Sequence, residues 1–150
     1  MRFTEMLAPG LACYSPNMSR FRRPLRLGLA GFMVVAGIAH FLVPKIYMAL
    51  VPPQLPAPML LVYLSGAAEI GLGLALLVPR VRRLAAWGII ALLIAVYPAN
   101  IYHAVSGGLD DPNLPAAFAN PVLAYIRLPF QFLFIFWAWL CTRPDETTVA

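Results

Sequence analysis

The chain has 150 residues, of which 61% are hydrophobic and only 11% charged, and its mean hydropathy is +0.78. Soluble domains carry roughly 45–50% apolar and about 25% charged residues, so a water-soluble enzyme, a disordered chain and a disulfide scaffold are excluded and a membrane protein is expected. The net charge of +5 would point to nucleic acid in a soluble protein, but here the positions of the charges mark topology and no nucleic-acid partner is expected.

Residues 1–24 read as a flexible basic tail without periodicity, within which Met18 is an alternative natural start. The apolar stretch before Cys13 is short and is broken by Pro9 and Gly10, so it is not a cleaved signal. The first apolar run covers residues 25–43, opened by Pro24, which suits a helix's first turn, and closed by Pro44. A connection over residues 44–56 follows. Its Ile46, Tyr47, Met48, Leu50 and Val51 make it too apolar for a solvated loop, and it is expected to lie in the interface as a short lid. The second run, residues 57–78, ends at Pro79. The third, residues 84–105, is broken by Ser106, Gly107 and Gly108. The fourth covers residues 121–141, and residues 144–150 form a C-terminal tail.

Each run is near the roughly 20 residues that cross a bilayer, and only helices satisfy their own backbone at such lengths in lipid. The expected fold is all-α: an antiparallel four-transmembrane-helix bundle over residues 25–143. Arg20, Arg22, Arg23 and Arg26 precede the first run, Arg80, Arg82 and Arg83 separate the second from the third, and Arg143 follows the fourth. The other two connections hold Lys45 on one side and Asp110 with Asp111 on the other. By the positive-inside rule both termini and the middle loop are cytoplasmic, in a multi-pass protein of the cell membrane. Cys13 and Cys141 then share the reducing side, far apart and without a CxxC spacing, which argues against a thiol relay. Trp87, Trp137 and Trp139 fall toward the same side, as an aromatic belt. In the second run, Ala67, Gly71 and Ala75 form a row of small residues suited to close helix approach.

Polar side chains within a bilayer are costly and normally face the bundle interior. The first run supplies His40, the second Ser65 and Glu69, the third Asn100, and the fourth Arg127 and Gln131. Counting about 1.5 Å per residue from the outer helix ends places all of them in the outer half or near the midplane. His103, close to the water boundary, is read as a solvated interfacial residue. Ser65, Glu69 and Gly73 share one helix face, as do Arg127 with Gln131 and Gly37 with His40. Pro98 and Pro129, at the same level, free the carbonyls of Ile94 and Tyr125. Together these features outline a polar pocket open to the extracytoplasmic side. Glu69 forms its floor, Arg127 and His40 are counter-charges, and Asn100 and Gln131 are amide partners. Glu69 and His40 are the candidates for proton exchange. A carboxylate and one or two histidines on separate helices lack metal-site spacing, so no metal is expected.

The stretches Gly37-Ile-Ala-His40-Phe41 leading to Pro44, Val51-Pro52 with Leu55-Pro56, Ser65-Gly66-Ala-Ala-Glu69, Pro98-Ala-Asn100-Ile101 and Arg127-Leu-Pro129-Phe-Gln131 resemble the DoxX-like family of small four-helix membrane proteins. The resemblance covers roughly residues 25–143. It implies either a place in a membrane oxidoreductase system, with a quinone as the possible bound group, or a non-catalytic, chaperone-like accessory role. The chain departs from a redox protein in lacking a haem-type histidine pair and paired cysteines, so any electron would reside on a bound quinone. Two readings therefore stand. The pocket binds a quinone or another small amphipathic ligand, or the polar interior only specifies the bundle while outer surfaces grip a membrane protein partner. A transporter is a weaker third reading, since a single bundle lacks paired repeats. Whether there is turnover is left open.

Overall fold

The structure is a computed structural model and describes residues 18–107 and 119–143. The described residues form five helices: α1 (Met18–Leu42), α2 (Pro44–Leu50), α3 (Pro58–Leu77), α4 (Arg82–Val105) and α5 (Pro121–Cys141). Four of them, α1, α3, α4 and α5, are long and apolar enough to cross a membrane. The expected ends of α3, α4 and α5 lie within two residues of those observed. Cys13, the pair Asp110 and Asp111, and the tails before Met18 and after Arg143 lie outside the described residues.

Two boundaries differ from expectation. α1 starts at Met18, so the segment from Arg20 to Pro24, read from sequence as tail, is helical. Arginine is a good helix former, and Pro24 inside the helix removes a single backbone bond, the one to the Arg20 carbonyl. The expected lid contains a helix of its own, α2, which begins on Pro44 as N1 and ends at Leu50, with Val51 as its C-cap. Proline suits that first position because its missing N–H would have no partner inside the helix. α5 starts in the same way, on Pro121, and the Asn120 side chain accepts from the Val122 N–H at 2.9 Å.

Period and residue size explain the packing. In α3, Val62, Gly66, Gly73 and Leu76 are buried, and with Glu69 they mark a stripe of alternating four- and three-residue steps. α1 answers with Met33, Gly37 and His40 on its buried face. Such a stripe lets two helices cross at a shallow angle with side chains interlocked. Gly37 and Gly66 allow the backbones to meet: a Cβ on Gly66 would lie 2.6 Å from the His40 Cβ, and one on Gly37 would lie 2.6 Å from the Gly66 carbonyl oxygen. Further along, Gly73 faces Ala30, so α1 and α3 run antiparallel. The row of small residues suited to close helix approach does not make this contact at Ala67 and Gly71: Gly71 has open space where a Cβ would be, and both residues are exposed.

The half of the bundle that carries the helix-end arginines has a closely packed core. Leu29, Ala30, Met33, Leu76, Ala86, Ile89, Ala138 and Cys141 form one buried cluster there. On its margin the Trp137 indole donates to the Leu25 carbonyl at 3.0 Å, and Phe32 stacks on Phe134 with ring centroids 4.4 Å apart. Trp87 and Trp139 are exposed. These contacts join α1 to α5 on the arginine side. Beyond the Phe32–Phe134 stack both helices line a cavity instead.

Candidate functional site

The cavity occupies the half of the bundle remote from the helix-end arginines and has a volume of about 670 Å³. All six residues singled out by cost and spacing line it: His40 from α1, Ser65 and Glu69 from α3, Asn100 from α4, and Arg127 and Gln131 from α5. α2 contributes a seventh polar group, Tyr47, which sequence reasoning placed in the lid but not in the site. Apolar side chains such as Leu61, Val96 and Phe130 complete the wall.

The tight α1–α3 crossing builds one side of the site. His40 is four residues after Ala36, whose carbonyl accepts from the ring Nδ1 at 2.9 Å. The same nitrogen lies 3.3 Å from Glu69 Oε2, and both side chains are nearly buried, at 11% and 12% exposure. With the Nδ1 proton directed at the helix carbonyl, Glu69 Oε2 has no hydrogen-bond partner among the described residues although it is fully buried. Such an oxygen is costly to leave unmatched. Tyr47 stacks on His40, ring centroids 3.8 Å apart and 23° between planes, so α2 roofs the pair. Burial pushes the Tyr47 phenol above its usual range, and the neighbouring Glu69 charge pushes it further while Arg127 opposes. Glu69 and Arg127 thus both act on Tyr47 from opposite walls of one cavity.

The α4–α5 side is different in kind. Asn100 donates to Gln131 Oε1 at 2.5 Å, and Gln131 Nε2 donates to the Leu93 carbonyl. Pro98 interrupts the backbone ladder of α4 at this level, and the Gln131 amide takes up the carbonyl one residue before the one that Pro98 leaves without a donor. Gln131 therefore serves first as a staple between the two helices, with Asn100 completing the bridge. Ser65 is likewise engaged, donating to the Val62 carbonyl at 2.9 Å. Glu69, His40, Tyr47 and Arg127 line the same cavity, and Glu69 Oε2 is the oxygen there that lacks a hydrogen-bond partner among the described residues.

One expectation is overturned. His103 is fully buried, at 0% exposure, and not a solvated interfacial residue. It continues the stripe Ile89, Leu93, Val96, Asn100, whose steps of four and three turn it inward. It does not line the cavity. No group of three or more His, Cys, Asp or Glu side chains among the described residues is placed to hold a metal ion.

Four membrane-length helices around a mostly apolar cavity with a few polar groups, roofed by a fifth short helix, define a multi-pass helical membrane protein with an internal pocket. The chain belongs to the family described as Domain of unknown function (DUF8561), whose profile matches residues 29–142 and so includes every cavity-lining residue. No curated protein and no solved structure matches the chain.

Proposed function

We propose that this protein binds a small amphipathic molecule in the cavity, with a quinone as the first candidate, as part of a membrane oxidoreductase system. The observation that supports this most is the convergence of Glu69, His40, Tyr47 and Arg127, from four different helices, on one cavity of about 670 Å³. Ligand pockets commonly measure about 300–1,000 Å³ and combine apolar walls with a few placed polar groups. A purely structural ion pair would not need that space, nor would it leave a buried carboxylate oxygen unmatched. A polar head seated between Arg127 and the His40–Glu69 pair receives donors from one wall and meets a proton acceptor on the other. Its apolar remainder lies along Leu61, Val96 and Phe130. The resemblance to the DoxX-like family adds the quinone to the candidates.

The arginine-bearing half faces the cytoplasm of a cell membrane, with both termini on that side, and the cavity lies toward the outer leaflet. α2 covers its end, while the contacts joining α1 to α5 lie on the arginine side, so the ligand enters from the lipid between those two helices. The test is binding of a short-chain ubiquinone analogue to protein purified in mild detergent. A hydrogen bond to a charged group is worth about 1.5–3 kcal/mol, so Glu69→Gln and Arg127→Ala should each weaken binding about tenfold or more. Unchanged binding in both variants would overturn the reading. So would gentle purification yielding an empty cavity and a stoichiometric protein partner, which would favour the accessory role.

A further inference from the structure

A second pocket lies at the opposite end of the molecule, between the first turns of α1 and the last turns of α5. It measures about 290 Å³ and is lined by Phe21, Arg22, Leu25 and Arg26 from α1 and by Trp139, Leu140, Cys141 and Arg143 at the end of α5. We propose that it binds the head group of an anionic phospholipid, with Arg22, Arg26 and Arg143 on the phosphate and the apolar walls on the first carbons of the acyl chains. The proposal does not depend on what fills the larger cavity, only on the bundle lying in a bilayer.

Charge complementarity selects the occupant. Three arginines line one small pocket, and a guanidinium matches a phosphate with two parallel hydrogen bonds. A zwitterionic lipid would bring its own cation into this field, whereas an anionic one would not.

The walls favour a lipid over a free anion. Phe21, Leu25, Leu140 and the Trp139 ring are apolar and would gain nothing from a hydrated ion. Local structure holds the arginines in place. The Thr142 hydroxyl donates to the Trp139 carbonyl at 2.7 Å and closes α5, and the chain then turns so that the Arg143 guanidinium sits 4.2 Å above the Trp139 ring. Arg22 and Arg26 are one helical turn apart and share a face of α1. The pocket sits at the depth of the arginine-side head groups, where basic clusters between transmembrane helices meet anionic lipid.

Delipidated full-length protein in detergent, titrated with phosphatidylglycerol or with phosphatidylcholine of the same chains and read by native mass spectrometry, tests the proposal. The wild type should retain phosphatidylglycerol in preference to phosphatidylcholine. A basic side chain near an anionic surface contributes about 1 kcal/mol, so Arg22→Gln with Arg26→Gln should reduce that preference about 30-fold. Arg82→Gln with Arg83→Gln, which removes as much charge at the start of α4 and outside the pocket, should leave it within about twofold. Equal retention of the two lipids by the wild type would overturn the proposal, as would an equal loss in both double variants. Displacement of phosphatidylglycerol by millimolar inorganic phosphate would also overturn it, because the pocket would then be a plain anion site.

Discussion

A single methyl group on Gly66 tests whether the α1–α3 crossing sets the geometry of the cavity. In Gly66→Ala the new Cβ would stand 2.6 Å from the His40 Cβ and 3.0 Å from the Gly37 carbonyl oxygen. Neither neighbour is the far end of a flexible side chain, so the helices themselves must separate. Overpacking of this kind costs about 1–3 kcal/mol, against which alanine gains about 1 kcal/mol in helix propensity over glycine. Gly71→Ala, five residues on in the same helix, makes the same propensity gain with nothing within 4 Å of the added carbon. The difference between the two variants therefore isolates the steric term, about 2 kcal/mol, and at about 2–4 °C per kcal/mol for a chain of this size it is a gap of roughly 4–8 °C in Tm. Thermal unfolding of both variants in one detergent measures it. Because the separation also moves His40 away from Glu69, Gly66→Ala should bind the quinone analogue more weakly than Gly71→Ala does. Equal melting temperatures, or a Gly66→Ala protein that outlasts Gly71→Ala, would refute the reasoning.

Two further outcomes follow from the site. Gln131→Leu leaves the Asn100 amide without its partner and removes the side-chain bond to the Leu93 carbonyl beside the Pro98 interruption. An unmatched buried group costs about 1–3 kcal/mol, so at about 2–4 °C per kcal/mol Tm should fall by roughly 2–12 °C, and a Tm within about 1 °C of wild type would argue that water replaces the staple. Tyr47 is a raised acid, so its stabilising contribution is complete below its ordinary value of 10.0 and is lost as pH rises through the higher folded value. In a melting series from pH 8 to 11.5, wild type should lose stability above about pH 10 more steeply than Tyr47→Phe, which keeps the ring stacked on His40. Parallel curves would show that the phenol is not buried against the pair.

Much of the architecture was readable because membranes simplify the problem. A run of about 20 apolar residues has one stable conformation in lipid, which is why α3, α4 and α5 fall where composition alone puts them. The polar set was readable for the same reason: His40, Glu69, Asn100 and Arg127 are expensive anywhere but the interior. What escaped the sequence depends on contacts between segments. Tyr47 lies seven residues beyond His40 and reaches it only because α2 folds back over the end of α1. His103 looked like a boundary residue when depth was counted from the helix end, whereas the stripe through Asn100 shows it turned inward. The spacing of Ala67, Gly71 and Ala75 suggested a contact face, but Gly37, Gly66 and Gly73 make the contact. A regular interval between small residues does not say which side of the helix has a neighbour. The bridge that Asn100 and Gln131 make between the two helices, while lining the cavity, was not legible either.

The uneven filling of the bundle, solid around Ile89 and Ala138 and hollow around Glu69, separates endurance from specificity. Substitutions such as Leu61→Phe or Val96→Ala would reshape the hollow storey while leaving the foundation beneath it intact. The shape of the cavity can thus change through a few side chains in the upper wall, while the packed scaffold below stays as it is.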